Sequence, residues 1–354
     1  MPTPAAHGFR MPPEWAPHER TWMAWPGPNP TFATEEALER ARTAWAGVAR
    51  AVSRFEPVTV VASPDQAATA RLRLGLAGDP GAGPGAGAID VVEQPLDDAW
   101  MRDVGPTFVT DGHRLGAVDW VFNGWGAQSW ARWTDDAKAG AFVADRAGAR
   151  AYPSPLVNEG GGLHVDGEGT VLLTETVQLD PGRNPGWTAE RVEAEVHAHL
   201  GTRKAIWLPR GLSADYGPFG TRGHVDLVAA FVAPGVVVAH VQPDPSHPDH
   251  APCQETVRLL RGSTDAAGRP LHVVELPAPT VTEVDGEPVD YSYVNHYLCN
   301  GGVVLCGFDD PMDEVNAATF RRLFPDRAVT LVDARTIFAA GGGIHCVTQQ
   351  QPRV

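Results

Sequence analysis

The sequence has 354 residues, of which 43% are hydrophobic and 20% charged, and its formal net charge is −15. That is ordinary globular material, long enough for a large core in two domains or in one closed α/β body. The acidic balance excludes a nucleic-acid binder, which must neutralise phosphates with Lys and Arg, and suits a small cationic ligand.

The opening stretch, "MPTPAAHGFRMPPEW", has no apolar signal region and no cleavage signature. No run reaches the roughly 18 apolar residues of a membrane span, so a cytoplasmic protein is expected. Next come a strand, "TWMAWP" (21–26), a helix over 35–54 and a strand, "PVTVVAS". In that helix Leu38, Ala41, Trp45, Val48, Val52 and Phe55 recur at steps of three and four, the helical period.

From there one order repeats: a Gly-punctuated hairpin, an amphipathic helix, a short strand. It appears in "MRDVGPTFVTDGHRLGAVDW" (101–120), "DDAKAGAFVADRAGA" and "RAYPSPLV". It appears again in "GGGLHVDGEGTVLLTE" (160–175), "TAERVEAEVHAHLG" (188–201) and "KAIWLP". Thr188 caps that helix, with Val192, Val196 and Leu200 on one face. The third copy is "GHVDLVAAFVAPGVVVAHV" (223–241), "DHAPCQETVRLLRG" (249–262) and "LHVVEL" (271–276), where Pro-Gly makes the turn and Gly262 stops the helix. The fourth is "YVNHYLCNGGVVLCGF" (293–308), a helix from Pro311 to Leu323 capped by Asp310, and "RAVTLVD".

The N-terminal unit lacks a hairpin arm, and "AGGGIHCVTQQQ" at the other end supplies one, so the two termini close a ring. Five units that cannot each bury a face alone, stacked round a centre, make a propeller-like α/β body. A two-domain α/β protein is the alternative.

The chemically interesting residues fall at the start of each hairpin: Asp103, Glu159, His224 with Asp226, Asn295 and Cys346. Equivalent positions round an axis converge on one spot. Of the four cysteines, Cys299 and Cys306 flank "NGGVVL" and read as small core residues. None forms a C-x-x-C pair with another, so no zinc knuckle or disulfide framework is indicated. Cys346, behind three glycines and ahead of Thr348-Gln349-Gln350, reads as a presented thiol, a candidate nucleophile. His224 and Asp226 in "GHVD" alternate on one side of a strand and suit acid/base work. By the same alternation His345 points away from Cys346 and stays out of the chemistry. Asp103, Glu159 and Asp226 together set three carboxylates round one thiol, an arrangement that asks for a cation. Guanidinium fits, because it stays charged and pairs bidentately with carboxylates. No metal-ligand spacing is present, and neither metal nor cofactor is expected.

"MPPEWAPHERTWMAWP", "DDAWMRDVGPTFV", "NEGGGLHVDGEGTVLLTE", "GHVDLVAAF", "YSYVNHYLCNGGVVL" and "GGGIHCVTQQQP" resemble, in order and along essentially the whole chain, the agmatine deiminase family. This is the Porphyromonas-type peptidylarginine deiminase family of the guanidine-modifying (pentein) superfamily. The resemblance implies one domain over 1–354, a five-fold pseudosymmetric α/β propeller, and hydrolysis of agmatine to N-carbamoylputrescine and ammonia without metal. It implies Cys346 as nucleophile, His224 as acid/base, Asp103 and Asp226 as guanidinium clamps, Glu159 and Asn295 in support, and Trp100 lining the mouth of the site. A possible homo-oligomer is compatible with it. One departure stands out. Arg222, two residues before His224, falls on the same side by alternation and, if it reaches the pocket, repels a distal ammonium and attracts a carboxylate. That keeps arginine or another guanidino acid open as substrate, and an amidinotransferase on the same fold is the nearest rival.

Overall fold

The computed structural model describes residues 2–76 and 87–354. Its hydrogen-bonded ladders repeat one connection five times: an antiparallel hairpin, a helical crossover, and a strand returning parallel to the hairpin's second arm. Parallel neighbours need such a crossover, and the amphipathic helices supply it.

Thr107–Thr110 pairs with Leu115–Val121, and Arg150–Val157 returns after the helix Ala139–Arg146. Leu163–Val165 pairs with Thr170–Thr174, and Lys204–Leu208 returns after the helix Ala189–Leu200. Ala229–Ala233 pairs with Val236–Val241, and His272–Pro277 returns after His250–Arg261. Tyr297–Cys299 pairs with Gly302–Gly307, and Ala328–Asp333 returns after Met312–Leu323.

The fifth sheet is made by both ends of the chain. Thr348–Pro352 runs antiparallel to His18–Ala24, which lies parallel to Val58–Ala62 beyond the helix Glu35–Ser53. The helix Ala67–Leu74 then adds one more parallel strand, Ile89–Glu93, with no counterpart in the other four.

The helices obey their sequence signals. Thr34 and Thr188 cap theirs, their side chains accepting from the N–H groups of Ala37 (3.1 Å) and Arg191 (3.3 Å). The buried stripe of the first helix is Leu38, Ala41, Trp45, Val48 and Val52, and each large apolar side chain so buried contributes about 1.5–3 kcal/mol. The fourth crossover helix, Met312–Leu323, has Asp310 as its expected cap: the carboxylate accepts from the Met312 N–H at 2.8 Å, and Pro311 between them already has helical backbone angles. Among the described residues no helix is long and apolar enough to cross a membrane.

One local expectation fails. The strand expected under His224 and Asp226, and under His345 and Cys346, is a turn in each case. The residues singled out for chemistry lie in the single turn before each hairpin: Asp103 in Met101–Val104, Glu159 just ahead of Gly160–Gly162, and His224 and Asp226 at and inside the 3-10 turn Val225–Leu227. Asn295 precedes Tyr297–Cys299, and Cys346 sits in the turn before Thr348–Pro352.

Candidate active site

These five lead-in turns carry their side chains to one place. The Cys346 sulfur lies 3.3 Å from the Asn295 Nδ2 and 3.7 Å from Asp226 Oδ2. Asp103 Oδ1 accepts from the Gly161 N–H (3.1 Å), and its Oδ2 accepts from the Trp125 indole (2.9 Å). His224 Nε2 meets Glu159 Oε2 at 3.1 Å, while Nδ1 faces Asp103 Oδ1 at 3.9 Å. All of these side chains are buried.

Glycine makes the convergence possible. A Cβ on Gly161 would lie 2.5 Å from His224 Nδ1 and 3.0 Å from both Asp103 Oδ1 and Asp226 Oδ2. One on Gly342 would lie 3.0 Å from both the Cys346 sulfur and Trp100 Cζ3. The two glycine runs therefore serve close approach, one under the carboxylates and one beside the thiol.

Charge in so dry a site is costly unless paired. Burial, with Asp226 and Asp103 nearby, pushes the Cys346 thiol well above its usual range, so the free site holds a thiol. Burial also pushes Asp103 up to about 6; His224 opposes this, while Glu159 and Asp226 add to it. Burial works against the charged form of His224, but Asp103, Glu159 and Asp226 outweigh it and raise the imidazole to about 9. Two polar atoms here are buried and unpartnered: Asp226 Oδ1 and His224 Nδ1. They are the free valences of the site.

The picture of three bare carboxylates needs correction, because two of them have resident partners. Arg183 donates through Nε to both oxygens of Glu159 (3.0 and 3.1 Å) and holds it ionised, down to about 2 against the penalty of burial. His345 reaches Asp226 Oδ2 through Nδ1 at 2.7 Å. The expectation that His345 points away from the site assumed a strand; residues 344–347 form a turn, and the ring lies against Asp226. Arg183 lies outside the motifs, whereas His345 lies inside "GGGIHCVTQQQP" and was set aside by the alternation argument.

The alternation argument fails in the same way at Arg222. Its φ is 68°, a left-handed value, and Gly223 follows at 117°. The side chain is 41% exposed, with Nη1 3.8 Å from Asp180, and is not brought to the carboxylates. Trp100 is buried against Gly342 and edge-on to Trp45 at 5.4 Å. The segment 122–131 closes over Asp103: Trp125 stacks on Trp130 (5.3 Å), Trp130 meets Phe219 edge-on (5.1 Å), and Gln128 donates to the Gly220 carbonyl (2.8 Å). Trp125, its φ at 56°, was missed by the sequence reading.

Among the described residues, Glu14, His164 and His345 bring three possible metal-ligand atoms within 4.8 Å of one another. That space is taken by the protein's own charges. Arg102 sits 3.6 Å from Glu14, and both His345 nitrogens already face carboxylates.

Comparison with known proteins places the sequence and the fold. A family model, the Porphyromonas-type peptidyl-arginine deiminase, matches residues 10–352. A Streptomyces avermitilis protein is 69% identical over 356 residues, covering all of both chains. The agmatine deiminase of Pseudomonas aeruginosa (strain UCBPP-PA14) is 42% identical over 375 residues, covering 99% of this chain and 97% of its own. Among solved structures, the agmatine deiminase of Enterococcus faecalis superposes with a TM-score of 0.91 at 34% identity, covering 100% of this chain and 98% of its own. Fold and sequence agree, and the chain belongs to the Porphyromonas-type peptidyl-arginine deiminase family, with its α/β pentein fold.

Proposed function

We propose that this protein is a hydrolase of a linear amidine, converting agmatine and water to N-carbamoylputrescine and ammonia through a covalent intermediate on Cys346. One observation carries the reading: a thiol and the carboxylates of Asp103 and Asp226 share one buried site, and Asp226 keeps an oxygen unpartnered there. Similarity to the Pseudomonas and Enterococcus enzymes supports agmatine as the substrate.

In this reading the guanidinium donates to Asp226 Oδ1 and to Asp103, its carbon over the sulfur. The cation offsets the anions that hold the thiol proton on, and Sγ releases that proton to solvent as it adds to the carbon. The C–N bond breaks, and ammonia leaves with a proton from the His224 imidazolium. Neutral His224 then takes a proton from water as its oxygen adds to the thiouronium carbon. The C–S bond breaks, the hydroxyl proton passes to the sulfur, and the neutral ureido product and the Cys346 thiol are freed. Glu159, tied to Arg183, orients His224; Asn295 holds the sulfur; Trp100 walls the site.

The disposition of the arginines favours agmatine over arginine. Arg183 is committed to Glu159 and Asp180, Arg102 faces Glu14, and Arg222 lies against Asp180. An α-carboxylate on the substrate has no uncommitted partner among these three. A cytoplasmic location fits four cysteines that are all unpaired, and we treat residues 1–354 as one domain because the last strand completes the first sheet.

The test is a panel of guanidino compounds assayed for ammonia and ureido product, without any added amine acceptor. Agmatine turnover is expected to dominate in the wild type and in Arg222→Ala alike. Preference for arginine, or dependence on an amine acceptor, overturns the assignment.

A further inference from the structure

Beyond the clamps themselves, a buried chain of alternating charge runs away from Asp226. His345 Nδ1 faces Asp226 Oδ2 at 2.7 Å, and its Nε2 faces Glu14 Oε2 at 2.8 Å. The other Glu14 oxygen accepts the Leu298 N–H at 2.8 Å. Arg102 lies 3.6 Å from Glu14, with one amino group otherwise unpartnered, and its Nε donates to the His345 carbonyl at 3.2 Å. The order is Arg102, Glu14, His345, Asp226, with a cation and an anion in turn.

An imidazole between two carboxylates has no acceptor role to play. An ionised carboxylate only accepts, so both ring nitrogens must carry a proton to satisfy both contacts. That makes the ring a cation. The other charged or titratable groups facing it agree with this. Arg102 is matched by Glu14, and His164 (ring centroid 6.1 Å away) and His296 are driven by burial to about 3 and 4, so neither adds a positive charge. Burial and Arg102 oppose protonation of His345, but Glu14 and Asp226 together overcome them.

We propose that His345 is a positioning residue: an imidazolium, backed by Glu14, that binds one oxygen of Asp226, keeps that carboxylate charged, and leaves Oδ1 turned to the substrate. This rests on the reading of Asp226 as a guanidinium clamp. It explains how a carboxylate near Asp103 and Glu159 stays ionised before any substrate arrives, when like charges would otherwise drive one of them to take up a proton. It also explains why the residue beside the nucleophile is a histidine with no role in proton transfer.

The test has two parts. In histidine-labelled protein, the nitrogen resonances of His345, assigned by loss in His345→Gln, are expected to show a doubly protonated ring at a pH above the ordinary histidine value of about 6.5. In Glu14→Gln and His345→Gln, kcat/KM at about pH 7 is expected to fall by about tenfold or more. The acid limb of the kcat/KM profile is expected to move to higher pH and to steepen, as Asp226 joins Asp103 in taking up protons. A merely structural residue would lower the melting temperature and the active fraction without moving that limb. A neutral His345 in the wild type, or a folded variant with an unmoved acid limb, overturns the proposal. If Asp226→Asn is nearly inactive while His345 is neutral, only this proposal fails; if Asp226→Asn is fully active, the clamp reading beneath it fails.

Discussion

The Cys346 sulfur lies 3.7 Å from Asp226 Oδ2, an anion 120 positions away in the chain. A nucleophilic thiol beside a carboxylate is held protonated, the opposite of what a free-standing reactive cysteine needs. The site therefore waits for its substrate's charge. At about pH 8 the free enzyme should show no thiolate ultraviolet absorbance attributable to Cys346, judged against Cys346→Ser. A thiolate already formed at neutral pH in the free enzyme would contradict this.

The clamps make a separate prediction. An ion pair at about 4 Å with an effective dielectric near 20 is worth about 4 kcal/mol before desolvation. Asp103→Asn and Asp226→Asn keep the shape and remove the charge. Each should lower kcat/KM by at least about 30-fold, the equivalent of about 2 kcal/mol, with the fold retained by circular dichroism. Near-normal catalysis in both would remove electrostatic gripping from the account.

The pH profile follows from two upward shifts. Asp103 must be ionised to clamp, so kcat/KM should fall below about 6; His224 must be protonated to release ammonia, so it should fall again above about 9. The stability consequence has a definite sign. The His224 pKa is raised from 6.5 to about 9, so its contribution is full below 6.5 and is lost as pH rises through 9. His224→Gln should remove that part of the alkaline decline in melting temperature.

Two glycines should behave in opposite ways. Gly161→Ala places a methyl against His224, Asp103 and Asp226 and should abolish activity at modest cost in stability. Gly47, inside the helix Glu35–Ser53, has nothing within 4 Å of an added Cβ. Gly47→Ala should stabilise by about 0.5–1 kcal/mol and leave turnover unchanged. Thermal melts and ammonia assays on the pair decide both points.

The order of elements was legible because hydrophobic period and turn residues are local signals. Trp45 and Val48 sit on a helix whatever surrounds them, and Pro234-Gly235 turns a hairpin by itself. The conformation of the lead-in turns was not legible, because distant partners set it. The 3-10 turn carrying Asp226 is braced by Asp215, which accepts from Thr221 N–H (2.6 Å) and hydroxyl (2.7 Å), while that hydroxyl accepts from His224 N–H (3.1 Å). For that reason alternation misplaced Arg222 and His345, while His224 and Asp226 share the site on a turn and not on the strand expected. Glu14 was invisible for another: a carboxylate buried between Leu298 and His345 is defined by residues some 300 positions away in sequence.

The central claim is that a thiol and its anionic surround act together on the guanidinium carbon. Acid quenching of wild-type enzyme during turnover of agmatine, followed by peptide mass spectrometry, addresses it directly. An adduct of agmatine less ammonia should appear on the peptide carrying Cys346 and be absent in Cys346→Ser. Product formation without any such adduct, or an adduct on Cys253, Cys299 or Cys306 instead, would contradict it.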